Sequence, residues 1–323
     1  MFRKAGILFF YTITPLHPGS GASVAGVDLP IQRERHTNFP MIQASGVKGA
    51  LRDLAEKVCK DEEKIKIVFG PKTEGASEHG GALAFTDARV LLFPVRSACG
   101  VFAWVTCKSA IERLKRDIFV IPNVDQREKA FTEIQEIELP DVLQGQAVTP
   151  PNAKVTLNDK VILEDFCFTL SKEGQDKVGK LAAWLGDHAF PIALRYWCEK
   201  LKGDHALVLL SDDDFRRFVE MSTEVITRVQ LGETGTVAAG PWDEEHLPTE
   251  TLLYSLALAT DPKLSKDKNT TSIREAEHVI EFLKGLLEEA KVAQFGGDET
   301  VGKGLVFMRF FGGGEVHAGG PKQ

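Results

Sequence analysis

Along this chain the hydrophobic period switches repeatedly between two residues and three-to-four residues. That intermixing restricts the fold more than any other feature of the sequence. Residues 3–14 read as a buried strand with Ile7, Phe9, Tyr11 and Ile13 on one face. A long Gly/Pro-rich loop follows over residues 15–40, of the length that is usually functional or disordered. SGVKGALRDLAEKVC then has the spacing of a helix, with Ser45 as its N-cap and Val47, Leu51, Leu54 and Val58 as its apolar stripe. Lys48 and Arg52 lie one turn apart on the adjoining face.

Further on, DEEKIKIVFG reads as a short helix ending at Gly70, and PKTEGASEHGG as a loop. GALAFTDARVLLFPV and GVFAWVTC read as strands around the turn SACG. SAIERLKRDIF is a short amphipathic helix, and residues 122–160 are irregular. EDFCFTLS is a strand, residues 174–202 are helical with a break near Pro191, and ALVLLSD is a strand. DDDFRRFVEMS is a helix whose acidic start favours its dipole. EVITRVQL-GETG-TVAAG reads as a hairpin, TLLYSLALAT as a strand, and residues 273–290 as a long helix. A glycine-rich loop and a last strand, QFGGDETVGKGLVFMRFFGGG, complete the pattern. Hairpins and crossovers together predict an α+β fold with a largely antiparallel sheet. The early order β, α, β, β is compatible with a ferredoxin-like core.

At 323 residues, with 43% hydrophobic and 26% charged residues, the composition excludes disordered, collagenous and disulfide-scaffold classes. The odd set of five cysteines contains no C-x-x-C pair, which argues against disulfides and against a cysteine zinc site and fits a reducing cytoplasm. The apolar start alternates and reads as a strand rather than a signal peptide, and no apolar run has the length of a membrane span. The net charge of −7 counts against a nucleic-acid partner, but residues 1–60 hold eight Lys/Arg against four Asp/Glu. Such a local basic surface can bind phosphate.

Enzyme motifs are mostly excluded. GGDETVGKG approaches a P-loop through Gly297, Gly302 and Lys303, but Gly304 replaces the hydroxyl residue and a strand, not a helix, follows. That leaves a loop letting backbone approach an RNA or a neighbouring subunit, or a plain turn. Val24 breaks the dinucleotide fingerprint in PGSGASVAG. His17 and Asp28 in the long loop are types that bind a divalent cation or move a proton in phosphodiester cleavage, though composition alone reads them as loop residues. Taken alone, the run Trp242-Asp243-Glu244-Glu245-His246 reads as a solvated acidic turn after the hairpin.

The combination HPGSG, VDLPIQRERHTNFP, ASGVKGALR and FGGDETVGKGLV resembles the RAMP-superfamily backbone subunit of the type III-B CRISPR Cmr effector complex. FGPKTE, ALAFTDARVLLFPVRS, KVILEDF, STE and ETGTV extend the resemblance nearly end to end. It implies one elaborated domain over 1–323: a ferredoxin-like (RRM-like) palm with helical insertions, one near 170–205, and a β-hairpin thumb near 224–246. It implies a cytoplasmic ribonucleoprotein in which copies of the chain stack along CRISPR guide RNA beside other Cmr subunits. The single-stranded target RNA would be cut at regular intervals, with a divalent metal, Mg²⁺ or Mn²⁺, as cofactor. By the same resemblance Asp28 is the essential carboxylate and the metal ligand, with His17, Glu244 and His246 near the scissile bond. His246 departs from the Tyr often found there. Lys48 and Arg52 would anchor the guide's phosphates, Arg33 and Arg35 would touch either strand, and Gly302 and Lys303 would approach RNA. A non-catalytic RNA-binding scaffold of the same complex is the alternative, and a stand-alone nucleotide-dependent enzyme is a third.

Overall fold

The computed structural model describes residues 2–24, 26–72, 79–121, 129–204, 206–263 and 271–312. Parts of the expected PKTEGASEHGG loop (73–78) and of the irregular segment (122–128) lie outside them. In chain order, β1 (Lys4–Thr12) leads through the long loop and β2 (Met41–Ile42) into α1 (Ala44–Val58) and α2 (Glu62–Phe69). Then come β3 (Leu83–Phe85), β4 (Ala88–Arg96), β5 (Phe102–Cys107), α3 (Lys108–Val120) and α4 (Lys129–Gln135). Next are β6 (Gln146–Val148), β7 (Thr156–Leu157), β8 (Lys160–Leu163) and β9 (Phe166–Leu170). α5 (Gln175–His188), α6 (Arg195–Lys202), β10 (Leu207–Leu210) and α7 (Asp212–Met221) precede the hairpin of β11 (Glu224–Leu231) and β12 (Val237–His246). β13 (Leu252–Ala259), α8 (Ala276–Glu289), β14 (Val292–Gln294) and β15 (Leu305–Phe311) follow.

One 13-stranded sheet runs β14-β15-β1-β13-β4-β5-β10-β6-β9-β8-β7, with β2 paired to β4 and β3 to β13, and the β11–β12 hairpin stands apart from it. The stretch β15-β1-β13-β4 is antiparallel throughout. With α1 after β1 and α8 after β13 it has ferredoxin-like connectivity. Its third strand, however, is β13. The strand expected in that place, Phe102–Cys107, pairs on the other edge of β4 and extends the sheet outward. The ferredoxin-like unit is therefore split, and residues 97–251 are inserted between its second and third strands. The inserted half includes parallel pairs, β5 with β10 and β6 with β9.

Burial explains why β1 is a continuous apolar run rather than an alternating one. Ala5–Thr12 is buried on both faces. Phe10 meets Phe295 edge-on at 5.4 Å, and Tyr11 meets Phe190 of the insertion at 5.2 Å. The α1 stripe Val47, Leu51 and Leu54 is buried as its spacing predicts. Its start differs from expectation: Ser45 lies inside the first turn, and the Ala44 amide donates instead to Asp87 Oδ1 at 2.8 Å. A carboxylate from another segment does the capping there. Ser211 does cap α7, accepting from the Asp214 amide. α4, β6, β8 and β14 were not legible as elements; each is short. No helix among the described residues is long and apolar enough to cross a membrane.

Candidate active site

Three segments distant in sequence meet at the base of the β11–β12 hairpin. Two stretches of the long loop meet the end of β12 and the residue after it through the isolated bridges Leu29–Glu244 and Leu16–Leu247. The glycine-rich loop closes from the other side. The Gly297 amide donates to the His17 carbonyl at 3.0 Å, and the Gly304 amide to the Pro15 carbonyl at 2.9 Å. Gly296 has φ +72°, and a Cβ there would sit 2.3 Å from the His17 carbonyl oxygen, so only glycine permits this approach.

The run 242–246 is the end of strand β12, not a solvated turn as the isolated sequence suggested, and Glu244, Glu245 and His246 are buried. Buried charges persist when they are paired, and the partners come from elsewhere in the chain. Glu245 Oε1 accepts from Arg33 at 2.5 Å and from Thr223 at 2.8 Å, while Oε2 accepts from the Ile31 amide at 3.0 Å. Glu244 Oε2 accepts from Arg228 Nη1 at 2.8 Å and Oε1 from the Trp242 indole at 2.8 Å. The same Arg228 nitrogen reaches Asp298 Oδ1 at 2.6 Å.

His17 lies half-buried at the rim. Its Nδ1 is 2.6 Å from the Glu245 carbonyl. A carbonyl only accepts, so Nδ1 carries the hydrogen and Nε2 is left as the nitrogen able to exchange a proton. The His17 and His246 rings are 5.4 Å apart. His246 is 1% exposed, and neither ring nitrogen has a hydrogen-bond partner. Burial, with His17 and Lys303 nearby, holds it below the usual imidazole range, although Asp298 opposes this. Burial works to raise Asp298, yet hydrogen bonds to Arg228 and Glu244 and the charge of Arg228 keep it below the usual carboxylate range. Asp28 is exposed, and its Oδ2 accepts from the Asp243 amide at 2.9 Å, which fixes the carboxylate beside the hairpin base.

The remaining expected residues separate into groups. The Arg33 guanidinium is engaged within the protein, bonding the Asn38 and Val219 carbonyls as well as Glu245. Arg35 is exposed in a turn. Lys48 and Arg52 lie on α1, away from the hairpin contacts. Burial, and next the charge of Arg52, depresses the Lys48 ammonium. Arg52 also lines a groove between α1 and α2 with Lys57, Lys60, Lys66 and Lys72. Gly302 and Lys303 sit where a short 3₁₀ turn, Glu299–Val301, returns to β15, with Gly302 at φ +77°. Sequence reasoning missed Arg228, Glu245 and Asp298. The alternation Glu224, Ile226, Arg228 and the lone Asp298 in GGDETVGKG were the only local signals.

An antiparallel ferredoxin-like unit carrying a projecting hairpin, with imidazoles and carboxylates at its base and cations on α1, defines an α+β protein of the nucleic-acid-handling kind. The chain belongs to the RAMP superfamily, whose family model matches residues 9–306. It is 41% identical, over 94% of both chains, to a Pyrococcus furiosus protein named CRISPR system Cmr endoribonuclease Cmr4. A crystal structure of oligomeric Cmr4 from Pyrococcus furiosus superposes with a TM-score of 0.70 at 34% identity, covering 96% of this chain and 100% of that one. A chain of a type III-B Cmr-beta complex bound to cognate target RNA shares the fold, with a TM-score of 0.69 at 24% identity over 96% and 98% of the two chains.

Proposed function

We propose that this chain is a guide-RNA-binding backbone subunit of a type III-B CRISPR ribonucleoprotein in the cytoplasm. In this reading it cuts complementary single-stranded target RNA at regular intervals once assembled with further copies of itself and other Cmr subunits. The observation that carries the reading is the convergence of His17 and Asp28, from the long loop, with Glu244, from β12, at the base of a projecting hairpin. A relative named an endoribonuclease, matched along nearly the whole chain, supports it.

RNA carries its own nucleophile. The 2′-OH attacks phosphorus, the P–O2′ bond forms and the P–O5′ bond breaks, leaving a 2′,3′-cyclic phosphate and a 5′-OH. Asp28, held by the Asp243 amide, takes the 2′-OH proton. His17, its Nδ1 committed to the Glu245 carbonyl, presents Nε2 to give a proton to O5′. Glu244, bonded to Arg228 and Trp242, fixes the strand segment whose neighbouring Asp243 amide and Glu245 carbonyl hold Asp28 and His17. The exposed Asp28 carboxylate is a hard oxygen donor of the type that suits Mg²⁺ or Mn²⁺. When bound, such an ion offsets charge on the phosphoryl oxygens. Lys48, Arg52 and the basic α1–α2 groove bind guide phosphates without reading sequence. Arg35, Gly302 and Lys303 are exposed or half-buried and can contact RNA, whereas Arg33 acts through Glu245.

The test is target cleavage by the reconstituted complex, wild type against Asp28→Ala, with Mg²⁺ and with EDTA, while assembly and target binding are followed separately. Loss of the evenly spaced cuts with assembly intact supports the reading. Persistent cuts would make the chain a scaffold, and 3′-OH with 5′-phosphate ends would exclude the 2′-OH mechanism.

A further inference from the structure

The buried junction under the hairpin brings Glu244, the positioning carboxylate of the proposed cleavage site, together with two side chains, His246 and Asp298, to which the cleavage scheme assigns no role. Glu244, His246 and Asp298 each offer a ligating atom, and these atoms lie within 4.8 Å of one another. Among the described residues no other set of three such side chains is this close. His246 Nε2 is 3.6 Å from Asp298 Oδ2. That is too long for a hydrogen bond. It is close to the separation of two ligands that share one ion at about 2.0–2.2 Å each in a tetrahedral arrangement. Arg228 binds the far oxygen of Asp298, Oδ1, and so leaves Oδ2 turned toward the imidazole. This is the way an outer partner orients a metal-binding carboxylate. The second observation is His246 itself, 1% exposed with both ring nitrogens unpartnered. A buried ring nitrogen without a partner is destabilising, and an ion on Nε2 supplies one.

We propose that Glu244, His246 and Asp298 form a resident site for one first-row divalent ion, Mn²⁺ or Zn²⁺, which ties the base of the hairpin to the glycine-rich loop. Tetrahedral ligands at about 2.0–2.2 Å from one ion lie no more than about 3.6 Å apart, so the set, whose atoms lie within 4.8 Å of one another, closes by as much as about 1.2 Å when the ion binds. Mixed imidazole and carboxylate donors favour a transition ion over Mg²⁺. The site is separate from Asp28, and its ion is structural: it fixes Glu244 and the loop bearing Lys303. The inference deepens the proposed function but does not depend on cleavage being observed.

The experiment measures Mn²⁺ and Zn²⁺ retained by the purified full chain in equilibrium dialysis, with electron paramagnetic resonance of the Mn²⁺ form. The expected result is about one ion per chain, with nitrogen hyperfine coupling from an imidazole. Asp298→Asn and His246→Gln should each weaken binding by roughly tenfold or more, and Asp28→Ala should retain it. Circular dichroism checks each variant's fold. Asp298, half-buried in the loop and less enclosed than His246, keeps the test decisive if His246→Gln does not fold. Absence of a retained ion at submillimolar metal would overturn the proposal. So would binding unchanged in Asp298→Asn, or binding lost only in Asp28→Ala. None of these readouts requires RNA, so this proposal can fail while Asp28-dependent cutting stands, and the reverse.

Discussion

The two ends of the β11–β12 hairpin are built on different physics. Toward the tip, Leu231 and Val237–Pro241 are exposed, and ladder hydrogen bonds alone hold the strands. At the base the same strands bury Glu244, Glu245 and His246 against two other segments. The register shifts between Arg228 and Gln230, opposite Gly240 and Pro241, and divides the two zones. An exposed two-stranded ribbon is marginally stable on its own, so the base must define the direction in which the tip projects. The base supplies fixed geometry and the tip supplies reach; the hairpin separates the two along its length.

Mutations can break that contrast. Asp28→Ala should reduce target cleavage by about 10²–10⁴-fold with complex assembly unchanged, as measured by gel-resolved cutting of labelled RNA. Glu245→Ala should destabilise the chain by roughly 3–5 kcal/mol, because Arg33 then loses its buried carboxylate; urea unfolding would show it. Gly19→Ala sharpens the role assigned to His17. A Cβ there would lie 2.7 Å from His17 Nε2. Cutting should fall by on the order of tenfold, a loss of the size that misplacing a reacting group produces, with thermal stability nearly unchanged.

Two smaller effects complete the contrast. Burial raises the Glu250 carboxyl, which receives the Tyr11 hydroxyl, from 4.5 to about 7. A group raised on folding contributes its stability in full below its unfolded value, near pH 4.5, and loses it as pH rises through about 7. Wild type should therefore lose stability across that window, and Glu250→Gln should flatten the slope and gain on the order of 1–3 °C in Tm above pH 7. At the tip, Leu231→Ser or Val237→Ser should change stability by no more than about 0.5 kcal/mol, because neither side chain is buried.

The same contrast governs what the sequence made legible. The α1 stripe, the acidic start of α7 and the hairpin strands rest on neighbours within a few residues, and they appear where the spacing places them. The end of β12 did not, because four polar residues in a row, Asp243 to His246, read as a turn until Arg33 and Arg228 are seen to pair Glu245 and Glu244. The start of α1 was misread for a similar reason: its capping carboxylate, Asp87, is remote in sequence. His17, Asp28, Glu244 and His246 were named through family motifs rather than periodicity. Asp298 and Arg228 escaped because nothing in their local strings indicates that a loop near residue 298 meets strand β11. The ferredoxin-like order was visible in outline, but its third strand was assigned to Phe102–Cys107 because hairpin neighbours are the default and a long insertion leaves no local trace.

The placement of residues 97–251 within the palm has a consequence for synthesis. His17 bonds a carbonyl 228 positions later in the chain. At about 5–20 residues per second, a ribosome takes roughly 10–45 s to supply that partner after His17 is made, and the glycine-rich loop arrives later still. Through that interval β1, buried on both faces in the finished protein, has neither β13 nor β15 beside it. A nascent chain in that condition exposes a strongly apolar strand and carries an incomplete site. Premature termination anywhere before β12 would therefore release a fragment unable to cut RNA and prone to aggregate.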